Sequence, residues 1–273
     1  MNRLSTEQRA RVIASLVEGN SIRATVRMTG HSKNTIAKLL VDLGRACEAY
    51  QDRVLTNLDS TVVECDEIWS FVGSKARNVP AGKEGEYGDV WTYVALDSDT
   101  KLAITWLVSD RTPEATDLFV HDLESRVPNR IQLTTDGYLP YRVAVREAFG
   151  DDVDYAMLVK HYGGEPSAGS QRYSPAVCTG TEKKPIRGNP DPDRISTSYI
   201  ERQNLTMRMH MRRFTRLTNA FSKKVENHAA AVALHFMYYN FCRRHQTLGT
   251  TPAVAAGIAN HPWTLEEIAA LLD

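Results

Sequence analysis

The chain has 273 residues, enough for one large domain with a smaller one beside it, and 42% hydrophobic with 24% charged residues is the composition of an ordinary globular protein. Met1 to Val12 has no apolar signal core, and the most apolar later run, 229–241, is interrupted by His235 and too short for a bilayer, so a cytoplasmic protein with no membrane partner is expected. Cys47, Cys65, Cys178 and Cys242 are scattered with no Cys-x-x-Cys pair, which argues against both a zinc ribbon and a disulfide framework. A net charge of zero conceals a segregation. Residues 1–45 hold 8 Lys/Arg against 3 Asp/Glu and 202–273 hold 9 against 4, leaving 16 against 26 in 46–201. Basic ends suit phosphates, and an acidic middle concentrates divalent cations.

Residues 5–44 read as three short helices with the punctuation of a helix-turn-helix. Ser5 with Gln8 forms a capping box before a helix with apolar Val12, Ile13, Leu16 and Val17, and Gly19-Asn20 ends it. Ser21 caps a second helix, 22–28, and Thr29-Gly30-His31 is a tight turn. Ser32 then caps a third helix with Ile36, Leu39, Leu40 and Leu43 inward. Lys33, Asn34 and Lys38 form the outward, groove-reading face, and Arg23 and Arg27 are available for phosphates. A plain three-helix bundle with solvated basic residues is the alternative.

Residues 46–57 read as a helical connector. A β-branched and aromatic strand around 61–72 follows, then a polar loop over 73–88 and a hairpin of 90–96 and 102–108 about Asp97-Ser98-Asp99-Thr100-Lys101. A helix over 112–126 has Pro113 in its first turn. A buried strand over 130–135 ends at Asp136-Gly137, and a helix over 138–149 and a strand over 153–160 follow. The order β-β-β-α-β-α-β, then α, predicts an α/β fold: an RNase H-like mixed sheet flanked by helices, preceded by the small all-α helix-turn-helix domain. With five Gly and five Pro, 163–194 is expected to be an irregular loop, in which Lys183, Lys184 and Arg187 are candidates for nucleic-acid contact. Ser196 or Ser198 caps a helix over 196–214, and a further helix over 227–244 packs on the sheet domain. The domains expected are 1–45, a connector 46–60, an RNase H-like domain 61–221 with its loop at 163–195, and a C-terminal helical region 222–273.

The strand around Val62-Val63-Glu64-Cys65-Asp66-Glu67-Ile68-Trp69 carries acids where a buried strand normally carries none, so a cation must offset them. Asp66, Asp136 at a strand end and Glu201 in the basic helix are read as a three-carboxylate metal set, whose first two members meet at the strand ends if their strands are neighbours. Glu64 shares the face of Asp66 and Glu67 points the other way; both are expected to be dispensable for chemistry. Glu201, Asn204, Arg208 and Arg212 fall on one helical face at i, i+3, i+7 and i+11. That face places a carboxylate at the metal, Asn204 at a metal-bound water or phosphate, and Arg208 and Arg212 along DNA.

The three carboxylates, Ser198-Tyr199-Ile200-Glu201-Arg202-Gln203-Asn204 and the tail from Tyr239-Asn240-Phe241-Cys242-Arg243-Arg244-His245 to Pro252 together resemble the DDE transposases of bacterial insertion sequences, nearest the family of insertion sequence one. The resemblance spans about 61–258; unlike many members, the chain has no cysteine pair for an N-terminal zinc finger. It implies DNA transposition: phosphoryl transfer by two Mg²⁺ or Mn²⁺ ions held by Asp66, Asp136 and Glu201, on terminal inverted repeats and target DNA, by a homo-oligomer bound to double-stranded DNA in the nucleoid. Two other functions stay open, an RNase H-like nuclease or resolvase and a non-enzymatic helix-turn-helix regulator. Affinity for one inverted repeat separates the first from a transposase, and metal-dependent nicking excludes the second.

Overall fold

Hydrogen-bonding side chains punctuate the N-terminal helices as expected. In the computed structural model, which describes residues 4–163, 177–215 and 219–273, helix α1 (Thr6–Val17) begins with the reciprocal Ser5–Gln8 capping box. Ser21 caps α2 (Ile22–Thr29), which stops at Gly30 with φ +74°, and Ser32 caps α3 (Lys33–Val54). The expected connector is not separate, because α3 continues through it. Cys47 and Gln51 face inward on its last turns, and the chain turns only after Leu55, at Asn57 with φ +52°. Gly44 lets α3 approach α7 (Val225–Met237) closely: a Cβ there would lie 2.4 Å from the Ala230 Cα, so any side chain would push the helices apart.

The sheet comprises β1 (Val62–Val72), β2 (Gly88–Asp97), β3 (Ala103–Ser109), β4 (Ile131–Thr135), β5 (Val153–Gly163) and β6 (Val177–Arg187), in the order β3-β2-β1-β4-β5-β6. β1 is antiparallel to β2 and parallel to β4; β4 is parallel to β5, and β5 antiparallel to β6. Helices α4 (Pro113–Arg126) and α5 (Pro140–Phe149) pack on each other over one face. Helix α6 (Ser198–His210) packs on β1 and β2 from the other face, which also receives α7 through Phe236 stacked on Trp106. This is an RNase H-like mixed sheet flanked by helices.

Strand β6 corrects the expectation of an irregular loop for its part of 163–194; 164–176 lies outside the described residues. Gly180 and Pro185 suggested a loop, yet β6 is an edge strand, where a proline is tolerated because one side of the strand has no ladder to complete. Val12, Ile13, Ile36 and Leu40 of the N-terminal helices share one apolar core with Val63, Cys65 and Leu133 of the sheet. Two short C-terminal helices, α8 (Pro252–Ala255) and α9 (Leu265–Ala270), complete the chain, and Arg9 joins α1 to the C-terminal segment through the Ala269 carbonyl at 2.8 Å and Asp273 at 2.7 Å. Asn240 donates to the Ala103 carbonyl and accepts from its N–H, both at 3.0 Å, stitching the turn after α7 to β3. Among the described residues no helix is long and apolar enough to cross a membrane, and the four cysteines are unpaired.

Candidate active site

The parallel register of β1 and β4 sets the geometry. Cys65 pairs with Thr135, so Asp66 and Asp136 follow at the same level on neighbouring strands. Asp66 remains in the sheet opposite Val94 of β2. Asp136 lies just past the end of β4, and its Oδ1 accepts the Tyr138 N–H at 2.8 Å in the turn leading to α5. Asp66 Oδ1 accepts the Glu67 N–H and Oδ2 accepts Asn204 Nδ2, each at 2.8 Å. Asn204 is buried, so it holds Asp66 in place and does not reach toward DNA as its sequence position suggested. This is the first correction to the expected helix face.

Glu67 joins these two aspartates. One oxygen each of Asp66, Glu67 and Asp136 lies within 4.8 Å of the others. Alternation along β1 points Glu67 to the opposite face from Asp66, but Asp136 sits beyond the end of its strand and is reachable from both. Arg111, just after β3, donates from Nε to Glu67 Oε2 at 3.2 Å, and its Nη2 pairs electrostatically with the same oxygen at 3.0 Å and with Asp136 Oδ2 at 3.8 Å. Its guanidinium lies 3.9 Å from the Tyr138 ring centroid and 4.8 Å from that of Trp91, cation–π contacts that restrict its orientation.

The site is short of positive charge. Burial, and then the Asp136 charge, push the Asp66 carboxyl up to about 7, and the same two causes push Glu67 to about 7 against the opposing effects of Tyr141 and Arg111. Carboxylate oxygens at this separation suit a hard divalent cation, which would relieve the repulsion that raises both groups.

Glu64, on the Asp66 face, has a different task. Its Oε2 accepts the N–H groups of Tyr199 at 2.8 Å and Ile200 at 2.9 Å, so a β1 carboxylate caps α6 together with Ser196, whose Oγ accepts the Ser198 N–H at 3.0 Å. The cap seats Glu201 and Asn204 over the aspartates. Glu201 stands apart from the group of three: its Oε1 accepts from Thr197 Oγ1 at 2.5 Å and from Lys160 Nζ. Its charge nonetheless contributes, after burial and Asp136, to raising Asp66. Thus Asp66 and Asp136 meet as expected, Glu67 is an addition, and Glu201 is turned to a lysine. Arg111 and Lys160 escaped the sequence reading, and Glu67, expected to point away from Asp66, joins it at Asp136. The only trace of Arg111 and Lys160 was an arginine at the end of one apolar strand and a charge interrupting another.

The basic residues divide into two groups. Lys33, Asn34 and Lys38 are exposed at the start of α3, Lys38 paired with Asp42, and Arg23 and Arg27 are exposed on α2. Arg208 is exposed on α6, but α6 ends at His210, and Arg212 stands in a separate helical turn, Arg212–Phe214, out of phase with Glu201. The expected continuous face through Arg212 therefore breaks at Met211. Arg212 instead lines a groove of about 860 Å³ with Arg23, Lys33, Lys223 and Lys224, between the N-terminal helices and the segment after α6.

Residues 191–242, which span α6, α7 and the Asn240 stitch, match the family model of IS1 transposases. Among solved structures, the chain is similar to the piggyBac transposase synaptic complex with hairpin DNA at 10% identity and a TM-score of 0.40, covering 99% of this chain and 71% of that one. It also overlaps a pre-cleavage Mos1 transpososome at 12% identity and TM-score 0.23, over 57% of this chain and 60% of that one. For the Mos1 strand transfer complex the values are 11% and 0.25, over 86% and 78%. No curated protein matches.

Proposed function

We propose that this chain, similar to the IS1 transposases over 191–242, is a DDE transposase that recognises the terminal inverted repeats of an insertion sequence and cleaves and joins DNA strands with Asp66, Asp136 and Glu201 as its metal-holding carboxylates. The observation that carries the reading is the level placement of Asp66 and Asp136 on adjacent parallel strands, beneath a helix that a β1 carboxylate seats over them. When bound, two Mg²⁺ or Mn²⁺ ions supply activation of the attacking oxygen and stabilisation of the leaving oxygen in an in-line displacement. The chain's own groups do the positioning. Asn204 orients Asp66, the Tyr138 N–H orients Asp136, and Glu64 orients α6 and therefore Glu201. Arg111 offsets Glu67, which makes Glu67 a support for Asp136 and leaves the third metal position to Glu201.

Recognition falls to α2 and α3. Lys33, Asn34 and Lys38 face the major groove, Arg23 and Arg27 meet phosphates, and the groove shared with Arg212 carries the duplex toward the site. Arg208 contacts the cleaved strand from α6, and the chain acts as a homo-oligomer that pairs two element ends.

The test is cleavage and joining of DNA carrying the element's ends by Asp66→Asn, Asp136→Asn and Glu201→Gln, with Glu67→Gln beside them. Each of the first three is expected to keep its fold and DNA binding and to lose roughly a thousandfold or more in rate. A folded Glu201→Gln protein that cleaves at the wild-type rate while Glu67→Gln does not would replace Glu201 by Glu67. Cleavage of branched DNA with no preference for element ends would mark a structure-specific nuclease.

A further inference from the structure

Two cations flank the carboxylates, and they are held differently. Arg111 lies over two aromatic rings, Trp91 and Tyr138, and Nε and Nη2 both meet Glu67 Oε2, so it is held from several directions. Lys160 is a point charge on a flexible stem, which can exchange one oxygen for another at little cost. It projects from β5 beyond the end of β4: Thr135 pairs with Met157, so Asp136 is level with Leu158 and Lys160 lies two residues farther along. Ala156 and Leu158, on the same face of β5, pack with Ile195, just ahead of α6, which aims Lys160 at the helix's first turn. There its ammonium takes Glu201 Oε1, the oxygen that Thr197 also holds, and its charge bears on Asp66 as well.

A divalent ion coordinated by Glu201 would stand next to this ammonium, and the two positive charges would repel strongly in a partly buried site. The ammonium then gains by leaving, and the anion that enters this cleft in the proposed reaction is a DNA phosphate. We infer that Lys160 is a stand-in cation that holds Glu201 until a divalent metal takes over the carboxylate, and that it then moves to a DNA phosphate, so that metal binding and DNA binding reinforce each other. The inference rests on the proposed role of Glu201. Linkage makes the effect reciprocal: whatever factor the metal contributes to DNA affinity, DNA contributes to metal affinity.

The experiment measures binding of a short labelled duplex from the DNA flanking the coding region, by fluorescence anisotropy, with EDTA or with Ca²⁺. Wild type is expected to bind about tenfold tighter with Ca²⁺. Lys160→Met should lose most of that increment while keeping the melting temperature of the wild type, and Lys160→Arg should restore a substantial part of it. Without metal, Glu201→Gln should already bind about threefold tighter because its lysine is released, and Lys160→Met in the same chain should abolish the gain. A Ca²⁺ increment unchanged by Lys160→Met overturns the inference, as does a Glu201→Gln gain that persists without Lys160. Cleavage in Mg²⁺ separates the two readings. Loss of cleavage in Glu201→Gln with no Lys160-dependent change in binding keeps the metal role of Glu201 and discards the exchange. Retained cleavage with a Lys160-dependent gain in EDTA discards the metal role and keeps the lysine contact.

Discussion

Asp66 and Asp136 owe their positions to a ladder of backbone hydrogen bonds, whereas Glu201 owes its position to the docking of a helix. The pairs from Val62–Gln132 to Cys65–Thr135 put the two aspartates level whatever their side chains are. Glu201 is in place only because Glu64 caps α6 and Lys160 and Thr197 hold its carboxylate. On the proposed reading, a site assembled this way has a half fixed by the sheet and a half that depends on helix docking and side-chain contacts. The docked half should tolerate small changes in side-chain length better than the rigid half.

The sharpest way to break this contrast is to change length while keeping charge. Asp136→Glu pushes a carboxylate about one bond beyond its fixed strand end and should slow cleavage by about a hundredfold, the usual effect of a misplacement near 1 Å. Glu201→Asp, on the helix, should cost about tenfold, because α6 and Lys160 can follow it. Equal losses in single-turnover cleavage would mean that α6 is as rigid as the sheet.

A second variant addresses the docking itself. Glu64→Ala leaves the Tyr199 and Ile200 N–H groups without their acceptor, and chemical denaturation should show about 2 kcal/mol of lost stability together with slower cleavage. Glu64→Gln retains an acceptor oxygen and should lose much less, so equal destabilisation by the two would show that charge, and not the hydrogen bonds, seats the helix.

The rigid half should also report its own charge strain. Since Asp66 is pushed from an ordinary 3.8 to about 7 in the fold, the native state holds its proton more tightly than the unfolded chain. The Asp66 contribution to the stability of the metal-free protein therefore falls as pH rises from about 4 to 7 and levels above that. Asp66→Asn removes this loss: it should match wild type near pH 4 and be more stable by about 2 kcal/mol at pH 8 in EDTA. A stability difference that does not change across this range would sink the assignment of the strain to Asp66. The smallest effect is expected far from the site, where exposed Lys38 is already paired with Asp42. Lys38→Ala should weaken DNA binding only a few-fold and lower the salt slope by about one, measured by titration at several salt concentrations.

Local chemistry made much of the chain legible. Ser5, Ser21 and Ser32 cap the helices that their positions announce, Pro113 opens α4, and the Asp97 side chain closes the β2–β3 turn by accepting the Asp99 and Thr100 N–H groups at 2.8 Å. Each of these signals lies within four residues of its partner. Strand β6 was hidden because its glycine and proline are permitted only by its place at the sheet edge, a fact about topology. The phase of Arg212 was misjudged because the end of α6 at His210 carries no glycine or proline to mark it.

By itself the sequence determined which residues could bear charge in a strand, where helices start, and that acids and bases are segregated along the chain. These properties are set by neighbours in the chain and by side-chain chemistry alone. Only the tertiary structure decided that Glu67 reaches Asp136, that Glu64 caps a helix 135 residues away, and that Lys160 occupies Glu201. Side chains on opposite faces of one strand meet only when a neighbouring strand ends at the right level. A carboxylate becomes a cap, and not a metal ligand, only when a helix docks its free N–H groups against it.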